Sequence, residues 1–169
     1  AHRGGTQIVG PNCMGIFSPY ARLNTIILSS EFPLEKGNAA FVGQSGWACE
    51  SFIIGGHNRG LGFSGVISSG NQNDLDTVDY LEYFGADPRT KVIGAYVEGI
   101  KEGQKLLQVA AEVSKKKPVI IWKGGRTPAG ARAAASHTGA LASSALICEG
   151  AFKQARIIRA EYLEEIIDF

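Results

Sequence analysis

Five short apolar runs divide most of the chain, at residues 39–43, 63–68, 92–97, 118–123 and 156–159. Most are rich in Val, Ile, Phe and Ala, and they are nearly continuous instead of alternating. That pattern predicts strands buried on both faces of a parallel sheet. The segments between them carry apolar residues at helical spacing, with Leu106, Leu107, Ala110, Ala111 and Val113 the clearest case. Helices are expected over 45–58, 75–84, 103–116, 141–154 and 162–169. Most of the 22 glycines fall where apolar runs end, the punctuation of an alternating β/α chain. Five such units predict an α/β fold, a doubly wound five-stranded parallel sheet of flavodoxin-like arrangement. The first 38 residues stand outside the repeat. Gln7-Ile8-Val9-Gly10 reads as a strand end and Pro11-Asn12 as a turn, so the expectation is the tail of a preceding domain followed by a linker.

Composition narrows the function classes. At 169 residues, 44% hydrophobic and 20% charged, the chain can bury roughly 70% of its unfolded surface without staples. A formal net charge of +1 gives no general attraction to nucleic acid or to an anionic membrane, so neither is expected as a partner. No run of about 18 apolar residues is present. Cys13, Cys49 and Cys148 are odd in number and far apart, without CxxC or Cys/His spacing. Neither a disulfide framework nor a metal site is indicated, and a reducing, cytoplasmic setting is the simpler reading.

In an open parallel sheet, ligands bind beyond the carboxyl ends of the strands. The residues there are Gln44-Ser45-Gly46, Ser69-Gly70-Asn71-Gln72-Asn73-Asp74, Glu98-Gly99 and Gly124-Gly125-Arg126-Thr127, whose loop continues to Ser136-His137-Thr138-Gly139. Ser45-Gly46 opens a helix. Free backbone N–H groups at its positive end suit a phosphoryl group, and a plain serine N-cap is the alternative. His137 is flanked by small residues that admit a ligand closely. A histidine can act as a covalent nucleophile when another group holds its second nitrogen. Glu98 follows a buried strand, where a carboxylate without a task is costly; an exposed strand-end acid is the alternative. Ser51 lacks a GxSxG turn, Gly124-Gly125-Arg126 is not followed by GKS or GKT, and Gly55 to Gly62 reads as a helix stop.

Several runs, taken in order, resemble the α portion of nucleoside-diphosphate-forming acyl-CoA synthetases, the wider family of succinyl-CoA synthetase. They are Gly10-Pro11-Asn12-Cys13-Met14-Gly15, Phe41-Val42-Gly43-Gln44-Ser45-Gly46, and Ser69-Gly70-Asn71 with Asp74, Asp76 and Asp79. Leu81-Glu82-Tyr83-Phe84, Asp87-Pro88, Tyr96-Val97-Glu98-Gly99-Ile100, Lys117-Pro118-Val119-Ile120, Lys123 with Gly125-Arg126-Thr127, and Ser136 to Leu141 complete the set. The resemblance implies that residues 1–36 are the end of a CoA-binding domain and a linker, and 37–169 a flavodoxin-like ligase domain. It implies His137 as the phosphorylated residue, Glu98 as the acid that orients it, and Ser45, Gly46 and Gly139 around the phosphoryl group. It further implies acyl-CoA, acyl phosphate and phosphate as reactants, with coenzyme A and ADP/ATP as substrates of the complete enzyme. Magnesium would accompany the nucleotide on an ATP-grasp subunit or domain, and a second ligase domain would complete the assembly. The isolated chain should then be inactive. Gly43 departs from the family, where serine is frequent. A rival reading is the synthetase-like regulatory region of a fused protein-lysine acetyltransferase, where the reactive histidine tends to be missing. A bare flavodoxin-like module for a nucleotide or flavin is a third, which leaves the Ser136 to Leu141 run without a role.

Overall fold

The computed structural model describes residues 4–27, 32–125 and 145–169. Its order is β1 (Gly15–Ser18), β2 (Leu23–Asn24), β3 (Lys36–Gly43), α1 (Gly46–Asn58), β4 (Phe63–Ser68), α2 (Thr77–Ala86) and β5 (Val92–Val97). Then come α3 (Gly103–Val113), β6 (Val119–Lys123), α4 (Ala145–Gln154), β7 (Ile158–Ala160) and α5 (Leu163–Asp168). The strands form one sheet in the order β2-β1-β4-β3-β5-β6-β7. From β4 to β7 every pairing is parallel, and the order in which strands are added reverses at β3, which has β4 on one side and β5 on the other.

The α/β doubly wound arrangement is as the apolar pattern predicts, and the strand count is corrected from five to seven. Both additions come from the stretch expected to be tail and linker. β1 pairs antiparallel with β4 through Gly15↔Ser68, Ile16↔Ile67 and Phe17↔Val66, and β2 folds back on β1. Strands of four and two residues leave too few positions for a periodic signal. Their reward is burial: Phe17 is wholly enclosed and meets Phe63 edge-on at 5.8 Å.

Helices cover both faces, which is why the parallel strands are apolar throughout. On one face Val42, Ile93, Val97 and Ile121 pack with Val78, Leu81 and Phe84 of α2, Leu106 and Ala110 of α3, and Phe152 of α4. On the other, Phe41 and Ile120 pack with Ala48, Cys49, Phe52 and Ile53 of α1 and with Leu163, Ile166 and Ile167 of α5. Phe41 and Phe52 stack at 4.3 Å. The start of α2 is fixed by a capping box, Asp76 accepting from Val78 and Asp79 N–H while Asp79 accepts from Asp76 N–H. That box moves the helix start two residues past the expected Leu75. Among the described residues, no helix is long and apolar enough to cross a membrane.

The segment before β1 is tied to the loop after β4. Pro11 and Gly10 carbonyls accept from Asn71 and Asn73 N–H at 2.9 and 3.0 Å. The Met14 N–H donates to Ser68 Oγ at 3.0 Å, and the Ile8 N–H to Asp74 Oδ2 at 2.7 Å. Residues 8–14 therefore run across the carboxyl end of β4.

Candidate functional site

The carboxyl ends of β3 and β5 lie side by side at the point where the strand order reverses, the position where open α/β sheets take ligands. Gln44-Ser45-Gly46 leaves β3 there and Glu98-Gly99 leaves β5. A cleft of about 350 Å³ opens between them, lined by Asn12, Cys13, Met14, Gln44, Ser45, Gly46, Trp47, Gly70, Asn71 and Glu98. A larger cavity of about 480 Å³ lies between α2 and β1 against Phe17, Tyr83 and Phe84, and none of Ser45, Gly46 and Glu98 lines it.

Ser45 is the N-cap of α1. Its extended backbone opens α1 and its Oγ accepts from Ala48 N–H at 3.4 Å, a long cap bond. Helix geometry leaves the first-turn N–H groups of Gly46 and Trp47 without intrahelical acceptors, and both residues border the cleft. A Cβ at Gly46 would sit 2.5 Å from Met14 Sδ, so a larger residue there would have to displace the methionine side chain. Met14 thus closes one side of the helix start.

Glu98 is not an exposed strand-end acid. It is 8% exposed, and its Oε2 has no hydrogen-bond partner among the described residues. Tyr96, two residues earlier on the same face of β5, is pushed up to about 12 by burial first, and then by the charge of Glu98 and a hydrogen bond to it. An underpaired buried carboxylate is an expensive feature, of the kind that marks functional sites. His137, Ser136 and Gly139 lie outside the described residues. The structure therefore brings together Ser45, Gly46 and Glu98 of the predicted set.

Sequence reasoning missed other residues of this neighbourhood. Asn12, Cys13 and Met14 form the outer wall of the cleft, and their only signal was membership of the Gly10-to-Gly15 run. Gln44, read merely as the start of a helix cap, bonds Glu98 and Gly99 N–H through Oε1 and the Gly99 carbonyl and Gln72 through Nε2. Lys123, buried at 4% exposure, donates to the carbonyls of Glu98 and Gly124.

The glycine at position 43 has a local cause. A Cβ there would meet Cys49 Sγ at 2.7 Å, so the thiol occupies the space a serine would need. Cys49 is fully buried, and burial pushes its pKa up to about 12. It should stay unalkylated at pH 9 in the folded protein, while the half-buried Cys13 takes up iodoacetamide. Peptide mapping after alkylation, with and without denaturant, checks this; label on Cys49 without denaturant would contradict it.

The chain belongs to the family described as the succinyl-CoA ligase like flavodoxin domain, which matches residues 36–169. Over 167 residues it is 44% identical to the alpha subunit of acetate–CoA ligase (ADP-forming) II of Pyrococcus furiosus, covering 99% of this chain and 36% of that protein. It is also 44% identical over 168 residues to acetate–CoA ligase (ADP-forming) of Methanocaldococcus jannaschii, covering 99% of this chain and 23% of that one. Among solved structures it is similar to the dinucleotide-forming acetyl-coenzyme A synthetase 1 of Ca. Korarchaeum cryptofilum in complex with phosphate and ADP. The TM-score is 0.90 at 44% identity, over 99% of this chain and 36% of that one. The chain thus spans between 23% and 36% of the length of these relatives.

Proposed function

We propose that this chain is the histidine-bearing part of an ADP-forming acyl-CoA synthetase, which interconverts acyl-CoA, ADP and phosphate with the free acid, CoA and ATP. The observation that carries the reading is the pairing of the buried, underpaired Glu98 carboxylate with the open N-terminus of α1 in one cleft at the switch point. The relatives' names give the reaction class. Residues 1–36 are read as the end of a CoA-binding domain and its linker, and 37–169 as the ligase domain.

In the proposed sequence, phosphate displaces CoA from the acyl group to give an acyl phosphate. One ring nitrogen of His137 then attacks the phosphorus, the P–O bond to the acyl group breaks, and the carboxylate leaves. Glu98 holds the other ring nitrogen and supports the positive charge that develops on the imidazole. The first-turn amides of α1 take the phosphoryl oxygens, supplying donors without adding net charge to a chain of formal charge +1. Transfer from His137 to ADP completes the turnover on an ATP-grasp part with its magnesium, and a second ligase domain completes the enclosure. The run of glycine, alanine and serine around His137 suits a segment that carries the phosphoryl group between two sites.

The test uses the complete enzyme with its nucleotide-binding part, incubated with γ-labelled ATP and magnesium. Acid-labile, base-stable label should map to the peptide containing His137 and disappear in His137→Asn. Normal labelling and turnover in His137→Asn would overturn the reading, and an acetyltransferase domain in the full polypeptide would favour its rival.

A further inference from the structure

We propose that Gln44 and Lys123 are positioning residues that aim the Glu98 carboxylate, an inference that rests on the phosphohistidine reading above. The main-chain ladder of β5 stops just before the acid, its last pairs being Gly43↔Tyr96 on one side and Val97↔Lys123 on the other. A residue beyond the end of a strand ordinarily has no fixed main chain. At Glu98 two side chains take over from the ladder. Gln44, leaving β3, accepts the Glu98 N–H at 2.5 Å; Lys123, ending β6, donates to the Glu98 carbonyl at 2.7 Å. Both polar main-chain atoms of the acid are therefore held, from the two strands that flank β5, at a residue that lines the cleft.

Neither clamp residue is spare to bind substrate in this arrangement. The Gln44 amide is filled within the protein: Oε1 also accepts from Gly99 N–H at 3.0 Å, and Nε2 donates to the Gly99 carbonyl and Gln72 Oε1, each at 2.9 Å. Gln72 is itself fixed by donating to Ser69 Oγ and Thr77 Oγ1 at 2.8 and 2.9 Å. Lys123 reaches a second carbonyl, that of Gly124, at 2.6 Å. Gly124 roots the stretch of chain that leads to His137, so one ammonium ties the acid's main chain to the start of the segment bearing its partner. Holding an orienting group this way is what a reaction sensitive to sub-ångström placement requires.

The test compares Gln44→Met and Lys123→Met, which keep unbranched stems of similar length, in the complete enzyme. The single-turnover rate of His137 labelling should fall about ten- to a hundredfold in each, with the KM for ATP held within about twofold. Added to Glu98→Gln, each should cost less than about a further threefold, because the group it aims has already lost its charge. Labelling at the parent rate, or losses that multiply in full with Glu98→Gln, would overturn the proposal. So would loss of the fold in both variants, which would assign the pair a purely structural role. If only Gln44→Met fails to fold, Lys123→Met decides by the same outcomes. A parental rate in Glu98→Gln itself would instead sink the acid's assignment, so the two failures are distinguishable.

Discussion

Glu98→Gln in the complete enzyme is expected to slow His137 phosphorylation by about a hundredfold or more while leaving the melting temperature unchanged or slightly higher. The two effects have one cause. The carboxylate is held 8% exposed with one oxygen unpaired among the described residues, which opposes folding; the neutral amide relieves that penalty without changing volume. The same change removes the negative charge that supports an imidazolium and replaces one acceptor oxygen by a donor. Clamped on both sides, the main chain at position 98 has little reason to move. A rapid-quench labelling series and a thermal melt on the same preparation test this. Parallel losses of rate and stability would mean that Glu98 is a structural residue.

Gly70→Ala carries the largest expected stability loss, about 2–5 kcal/mol. Gly70 has φ +54, and a Cβ there would fall 2.2 Å from the Pro11 carbonyl oxygen and 2.5 Å from that of Asn12. Both obstacles are main chain and cannot rotate away. Relief requires the segment at 8–14 to lift from the loop after β4, breaking the Asn71–Pro11 and Asn73–Gly10 bonds. In a domain of this size the melting temperature should fall by roughly 5–15 °C. Because Asn12 and Met14 wall the cleft, the KM for phosphate should rise as well. Gly103→Ala is the control: nothing lies within 4 Å of its added Cβ, so neither quantity should move in the unfavourable direction. An unchanged melting temperature in Gly70→Ala would show that the segment's contact with that loop is dispensable.

The parallel layers were legible because their signal is repeated in each β/α unit. Val42, Ile93, Val97 and Ile121 on one face and Phe41 and Ile120 on the other must all be apolar for the sheet to be covered twice. The carboxyl edge of the sheet followed from the same repeat, and with it the neighbourhood of Ser45, Gly46 and Glu98; the strand order that makes it a switch point did not. β1 and β2 were not legible: strands of four and two residues give no periodic signal, and Phe17's partner Val66 lies far along the chain. The first strand was placed three residues late for a related reason. Gly37 fits only because Gly62 passes it without a side chain, a contact between two segments that neither reveals alone. Gln44 and Lys123 illustrate a further limit. A glutamine between a strand and a helix, and a lysine at a strand end, are ordinary residues, and their task is visible only once β3, β5 and β6 lie side by side.

The seating of the first segment on β4 also sets an order of events during synthesis. The bond from Met14 to Ser68 spans 54 residues of chain. At ordinary translation rates that is an interval of about 3–10 s, against microseconds for the formation of a hairpin. For that time Phe17 has no strand to bury against, and the wall of the cleft cannot dock ahead of the strand it edges. Whatever polypeptide is made before residue 14 emerges first and has finished its own local folding before this attachment point exists.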